Sequence, residues 1–181
     1  ALQPFFEISD EIGRILERRY LATVTTGGAA VGATAVVPGA EAEVITGDEE
    51  ARLSFAGAVG ELDPADGPFL VVDLGGGSTE LVLGDSDGVH AAYSANIGCV
   101  RVTERCLPSD PPGSDEVSAA RGFAAERLAE AFAAVPIEEA HTWVGVAGTM
   151  TTIAAVGNGL DEYDPSRVHL SRLTFDQLRD V

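Results

Sequence analysis

The stretch LVVDLGGGSTELVLG, residues 70–84, decides how the rest of this chain is read. An apolar run ends on Asp73, three glycines and two hydroxyl residues follow, and a second alternating run opens with Glu80. That pattern is strand, tight turn, strand. Gly75, Gly76 and Gly77 carry no Cβ, so successive backbone N–H groups can converge on an anion. A hairpin needing positive φ accounts for one or two glycines, but not for three bracketed by Asp, Ser, Thr and Glu. A phosphate is the expected ligand. A Walker-type loop would need Gly-Lys-Ser/Thr ahead of a helix, and the sequence has no lysine. The site must therefore be built from acids, hydroxyls and amides. Asp73 and Glu80 would repel an anion held between them unless a divalent cation intervenes, and hard oxygen ligands suit Mg²⁺.

A chain of 181 residues, 45% of them hydrophobic, can bury a core of one or two small domains. Its 21 glycines and 6% aromatics fit an α/β protein with tight loops. The formal net charge of −18 disfavours nucleic acid and anionic membranes as partners. All 11 basic residues are arginine. No apolar run is long enough to span a bilayer and no leader pattern opens the chain. Cys99 and Cys106 lack CxxC spacing and read as two free thiols of a cytoplasmic protein. The absence of an initiator methionine makes the chain read as an excerpt of a longer one.

Taken in order, Ser9 caps an expected helix over residues 10–20, and strands are expected at 20–26, about 33–37 and 43–46. Asp48 caps a helix to residue 59, with Glu49 and Glu50 in its first turn, where acids suit the helix dipole. Helical spacing puts one of these two glutamates inward. Residues 63–68, DPADGP, form a connector and divide the chain into an N-terminal part, 1–62, and a second domain, 63–181. Further on, a strand is expected at 89–94 and a short helical or extended segment at 97–104. An amphipathic helix follows at 115–135, with Val117, Ala120, Ala124, Leu128, Ala131 and Val135 inward. Thr142 begins a buried strand containing a core Trp143, and Gly148 and Thr149 lead into a helix at 150–156. His90, His141 and His169 share no ligand spacing.

The segments VITGDEEARLSFAGAV, LVVDLGGGSTELVLG, NIGCVRVTERCL, VGVAGTMTTIAAV and YDPSRVHLSRLT resemble, in this order, the exopolyphosphatase and guanosine pentaphosphate phosphohydrolase family. That family belongs to the superfamily of sugar kinases, heat-shock ATPases and actin. The resemblance runs from about Glu43 to the end of the chain. It implies an α/β fold of two RNase H-like, actin-like ATPase domains flanking a cleft, with hydrolysis of terminal phosphoanhydride bonds of polyphosphate or guanosine pentaphosphate between them. By the same resemblance, Glu50 is the base for the attacking water, Asp73 and Glu80 organise Mg²⁺, and Gly75, Gly76, Gly77, Ser78 and Thr79 hold phosphate. A homodimer is one assembly open to such a protein.

Two departures from the family pattern stand out. Its opening Asp-x-Gly-Ser-Asn-Ser loop is absent, and where a Thr-Ser-Ala-x-Arg-x-Ala-x-Asn segment is expected, the chain reads TVTTGGAAVGATAVVPGA. The first domain is therefore expected to be incomplete and the second to lack its C-terminal part; the chain is either truncated or divergent over its first 40 residues, and in both cases full activity is not expected of it alone. The residues also accommodate a kinase-like ATPase of the same superfamily, or a module that binds a phosphorylated alarmone without hydrolysing it. The charge of −18 would repel a polyanion at long range, so arginines lining the cleft, or the missing segments, have to offset it.

Overall fold

The structure is a computed structural model, and it describes residues 47–181. The expectations for residues 10–46 lie outside the described residues. The chain divides between Glu61 and Leu62 into two compact units, each treated by itself below. In the first, the described element is helix α1, Gly47–Val59, which begins one residue ahead of the expected cap Asp48 and buries Phe55.

The second unit opens with a 3-10 turn, Pro64–Asp66, whose cap Asp63 accepts the Ala65 N–H at 2.9 Å. Strand β1, Phe69–Leu74, and strand β2, Thr79–Asp85, form the expected hairpin. Strand β3, Gly88–Ala95, returns against β2 through a turn that needs Gly88 at φ +131°. There follow helices α2, Cys99–Cys106, and α3, Ser114–Ala134, then strand β4, Thr142–Val146, and helices α4, Ala147–Gly157, α5, Pro165–Val168, and α6, Phe175–Asp180. The sheet order is β3-β2-β1-β4, with β4 parallel to β1.

Alternation decides what each face does. Leu70 and Val72 of β1, Leu81 and Leu83 of β2, and Ala91, Tyr93 and Ala95 of β3 share one face, and they meet Phe123, Leu128, Ala131 and Val135 from α3 and its end. This is the main core. The helix presents the face its spacing predicts, with Phe123 as an added member, and Arg105 lies 4.6 Å over the Phe123 ring. At the start of α3, Glu116 accepts the Gly113 N–H and the Ser109 hydroxyl, each at 2.8 Å. Those two bonds hold its carboxyl below the usual glutamate range, the Gly113 bond more than the Ser109 bond.

One expectation is corrected here. The apolar run from Thr142 predicts a buried strand, yet among the described residues β4 is an edge of the four-stranded sheet, with Trp143 and Gly145 exposed, Thr142 and Val144 half-buried, and Val146 alone buried. Trp143 pairs with Leu70 across the strands but remains 49% exposed. Its place on the outer strand, away from the α3 core, explains why it is not enclosed. Both cysteines are free thiols, as expected. Among the described residues, no helix is long and apolar enough to cross a membrane.

Candidate functional site

The strand register assembles the site from pieces distant in sequence. Asp73 lies directly opposite Glu80, and Glu80 directly opposite Ser94, so these three form one lateral row across β1, β2 and β3. They lie on the face opposite the main core. Two carboxylates abreast on neighbouring strands repel each other. The Ser94 hydroxyl donates to Glu80 Oε1 at 2.7 Å, which orients that carboxylate.

The glycine turn at residues 75–78 connects the two acids, and its backbone is seated on the start of α2. The Gly75 N–H donates to the Ser78 carbonyl at 3.0 Å and closes the turn. The Gly75 carbonyl accepts from Cys99 N–H at 3.2 Å, and the Gly76 carbonyl accepts from Arg101 N–H at 3.0 Å. Arg101 Nε then donates to the Gly77 carbonyl at 2.6 Å. Three consecutive carbonyls thus face α2. In a planar trans peptide the following N–H points the opposite way, so the N–H groups of Gly76, Gly77 and Ser78 are aimed away from α2. Among the described residues, no backbone carbonyl accepts from any of these three.

This seat requires glycine on the α2 side as well. A Cβ on Gly98 would come within 2.4 Å of the Gly76 carbonyl carbon and oxygen and 2.6 Å of the Gly75 oxygen. Beneath the turn, Thr79 is buried, and its hydroxyl donates to the Ile97 carbonyl at 2.8 Å. That hydroxyl faces the core side, unlike the three outward amides. Ser78 is half-buried.

A second feature emerges at the same sheet edge. Because β1 and β4 are parallel and Asp73 is level with Val146, the glycine turn and the start of α4 leave neighbouring strands at corresponding ends. That end of an open α/β sheet is where ligands usually bind. Helix α4 begins directly at Ala147, with φ +73°, so Gly148 and Thr149 lie inside its first turn and not in a loop before it. The hydroxyls of Thr151 and Thr152 turn back to the Gly148 carbonyl at 3.0 and 2.9 Å.

Glu50 belongs to the other unit. It lies in the first turn of α1 and is exposed, whereas Glu49 is half-buried. The structure therefore brings together Asp73, Glu80 and the glycine turn, and it adds Ser94, Gly98 and Arg101, none of which had been assigned a role from sequence. Only Gly98 and Arg101 carried any local signal, through their place in the NIGCVRVTERCL segment. Among the described residues, no group of three or more His, Cys, Asp or Glu side chains gathers as a metal site.

Residues 28–180 match the model of the Ppx/GppA phosphatase family. The chain belongs to that family. It is 60% identical over 147 residues to Exopolyphosphatase 2 of Mycobacterium tuberculosis, a match covering 81% of this chain and 46% of that protein. It is also 34% identical over 140 residues to a bifunctional 3-dehydroquinate synthase/phosphatase of Fusobacterium nucleatum, covering 75% of this chain and 21% of the relative. Among solved structures, an exopolyphosphatase-like protein superposes with a TM-score of 0.71 at 46% identity, over 78% of this chain and 48% of the other. The Aquifex aeolicus Ppx-GppA enzyme superposes with a TM-score of 0.64 at 37% identity, over 77% and 44%. The chain thus spans less than half the length of these relatives.

Proposed function

We propose that this chain is part of a phosphohydrolase that removes the terminal phosphate of inorganic polyphosphate. The observation that carries the reading is the run of three outward N–H groups at Gly76, Gly77 and Ser78, set between the paired acids Asp73 and Glu80. Fixed amides of this kind can hold a terminal phosphoryl group and stabilise charge developing on it. The relative named Exopolyphosphatase 2, at 60% identity, supports the choice of substrate class.

In this reading Gly76, Gly77 and Ser78 bind phosphate through their backbone N–H groups, Gly75 closes the turn with its own N–H, and Thr79 contributes by anchoring the turn from below. Asp73 and Glu80, abreast on β1 and β2, would hold a hard divalent cation through their carboxylate oxygens. When bound, Mg²⁺ supplies neutralisation of charge on the phosphate oxygens. Glu50 is the proposed base, taking a proton from water in line with the leaving phosphate; its assignment rests on the family resemblance. Residues 1–62 would then be the remainder of an N-terminal RNase H-like domain of the actin-like ATPase type, and 63–181 much of the second.

Malachite-green detection of phosphate released from polyphosphate, by the full-length protein and its Glu50→Gln variant, tests this. The expected result is Mg²⁺-dependent release that falls by about a hundredfold or more in the variant. Equal rates would remove Glu50 from its role, and release from guanosine pentaphosphate alone would replace the substrate.

A further inference from the structure

We propose that Arg101 is a positioning residue for phosphate binding, acting through the Gly77 peptide from the side opposite the ligand; this rests on the phosphohydrolase reading above. Two of the three carbonyls that face α2 are held by Arg101, one by its backbone N–H and one by Nε. The Nε bond, at 2.6 Å, is the shorter, and it joins a full cation to a carbonyl. Nη2 lies near the same glycine, 3.7 Å from where a Gly77 Cβ would sit. Among the described residues, no acid forms an ion pair with this guanidinium, in contrast to Arg127, Arg172 and Arg179.

The geometry assigns the guanidinium to the carbonyl side of the turn. Since the Gly77 carbonyl points at Arg101, the Ser78 N–H of the same peptide points away from it. A phosphate accepting that N–H stands across the peptide from Arg101, not against it. The cation then acts in two ways. It fixes the peptide plane, and it polarises the carbonyl, which strengthens the N–H on the far end as a donor. An arginine does this better than a lysine, because Nε is held at a set distance along a planar group.

The test is a titration of the full-length protein with inorganic phosphate, followed by the backbone amide NMR signals of Gly76, Gly77 and Ser78, for the unaltered protein, Arg101→Ala and Arg101→Lys. The expected result is that Arg101→Ala moves the Gly77 and Ser78 signals before any ligand is added and raises the phosphate Kd roughly tenfold. The same factor should appear in KM for short and for long polyphosphate, at low and at high salt, and Arg101→Lys should recover part of it. A loss that grows with polyphosphate length or shrinks with added salt would place the guanidinium on the polyanion itself and overturn the proposal. So would unmoved amide signals. If Arg101→Ala does not fold, Arg101→Lys carries the same comparison with a smaller factor. An unaltered protein that releases no phosphate would overturn the phosphohydrolase reading, while the signals of the ligand-free variants still decide the role of Arg101.

Discussion

Two turns leave the same edge of the sheet on neighbouring parallel strands, and they are built in opposite ways. After β1, the glycine turn is held from outside: its carbonyls are occupied by Cys99 and Arg101, and its base is pinned through Thr79 to Ile97. After β4, the chain passes straight into α4, and the hydroxyls of Thr151 and Thr152 satisfy that helix's own Gly148 carbonyl. The first arrangement aims three amides outward between two acids. The second is self-contained, and its unusual feature is the positive φ of Ala147. A glycine-rich sequence is thus not enough to make a cradle; something must occupy its carbonyls so that its amides face one way.

The same substitution made in both places should separate them most strongly. Gly98→Ala drives a Cβ into the Gly76 carbonyl, and backbone on both sides leaves nothing to rotate away. We expect a loss of about 3 kcal/mol in unfolding free energy and no detectable phosphate release, read by urea denaturation and malachite green. Gly148→Ala meets open space in the first turn of a helix, so stability should rise by up to about 1 kcal/mol. Similar losses at both positions would abolish the distinction.

The next effect concerns charge. Glu80→Gln retains an oxygen for the Ser94 hydroxyl but removes one of two abreast negative charges. Phosphate release should fall by about a hundredfold or more, while folding stability rises by about 0.5 kcal/mol. A variant that loses stability along with activity would mean the pair is structural. At the other turn, Ala147→Gly removes the penalty of a Cβ at φ +73° and should stabilise by about 1 kcal/mol, seen as a higher urea midpoint.

The smallest change is expected away from both turns, at the start of α3. The Glu116 carboxyl is held below its usual range by the Gly113 N–H and then by the Ser109 hydroxyl. A lowered folded value means that its stabilising contribution is fully present above the usual glutamate value and is lost as pH falls through the lowered one. Glu116→Gln should therefore flatten the acid side of a plot of urea midpoint against pH and leave phosphate release at neutral pH unaltered.

The hairpin, the long amphipathic helix and the paired acids were legible in the sequence because each is coded locally. Alternation marked β1 and β2, 3.6-residue spacing marked the inner face of α3, and Asp73 and Glu80 bracket a single turn. Burial along β4 is not legible locally, since an apolar run does not reveal whether a strand has neighbours on both sides: Val146 is buried, while Trp143 stands exposed on the edge. The partners of the glycine turn were also illegible. Arg101 lies 24 residues from Gly77, and Ser94 lies 14 from Glu80, so neither pairing follows from spacing.

By itself, the sequence determined that three glycines stand between two acids, which makes close approach of an anion sterically open. Only the tertiary structure decided which way the amides of those glycines point. A peptide plane has two faces, and glycine, lacking a Cβ, leaves both accessible. The choice falls to whatever binds the carbonyls, here the start of α2 with Gly98 allowing the contact and Arg101 completing it.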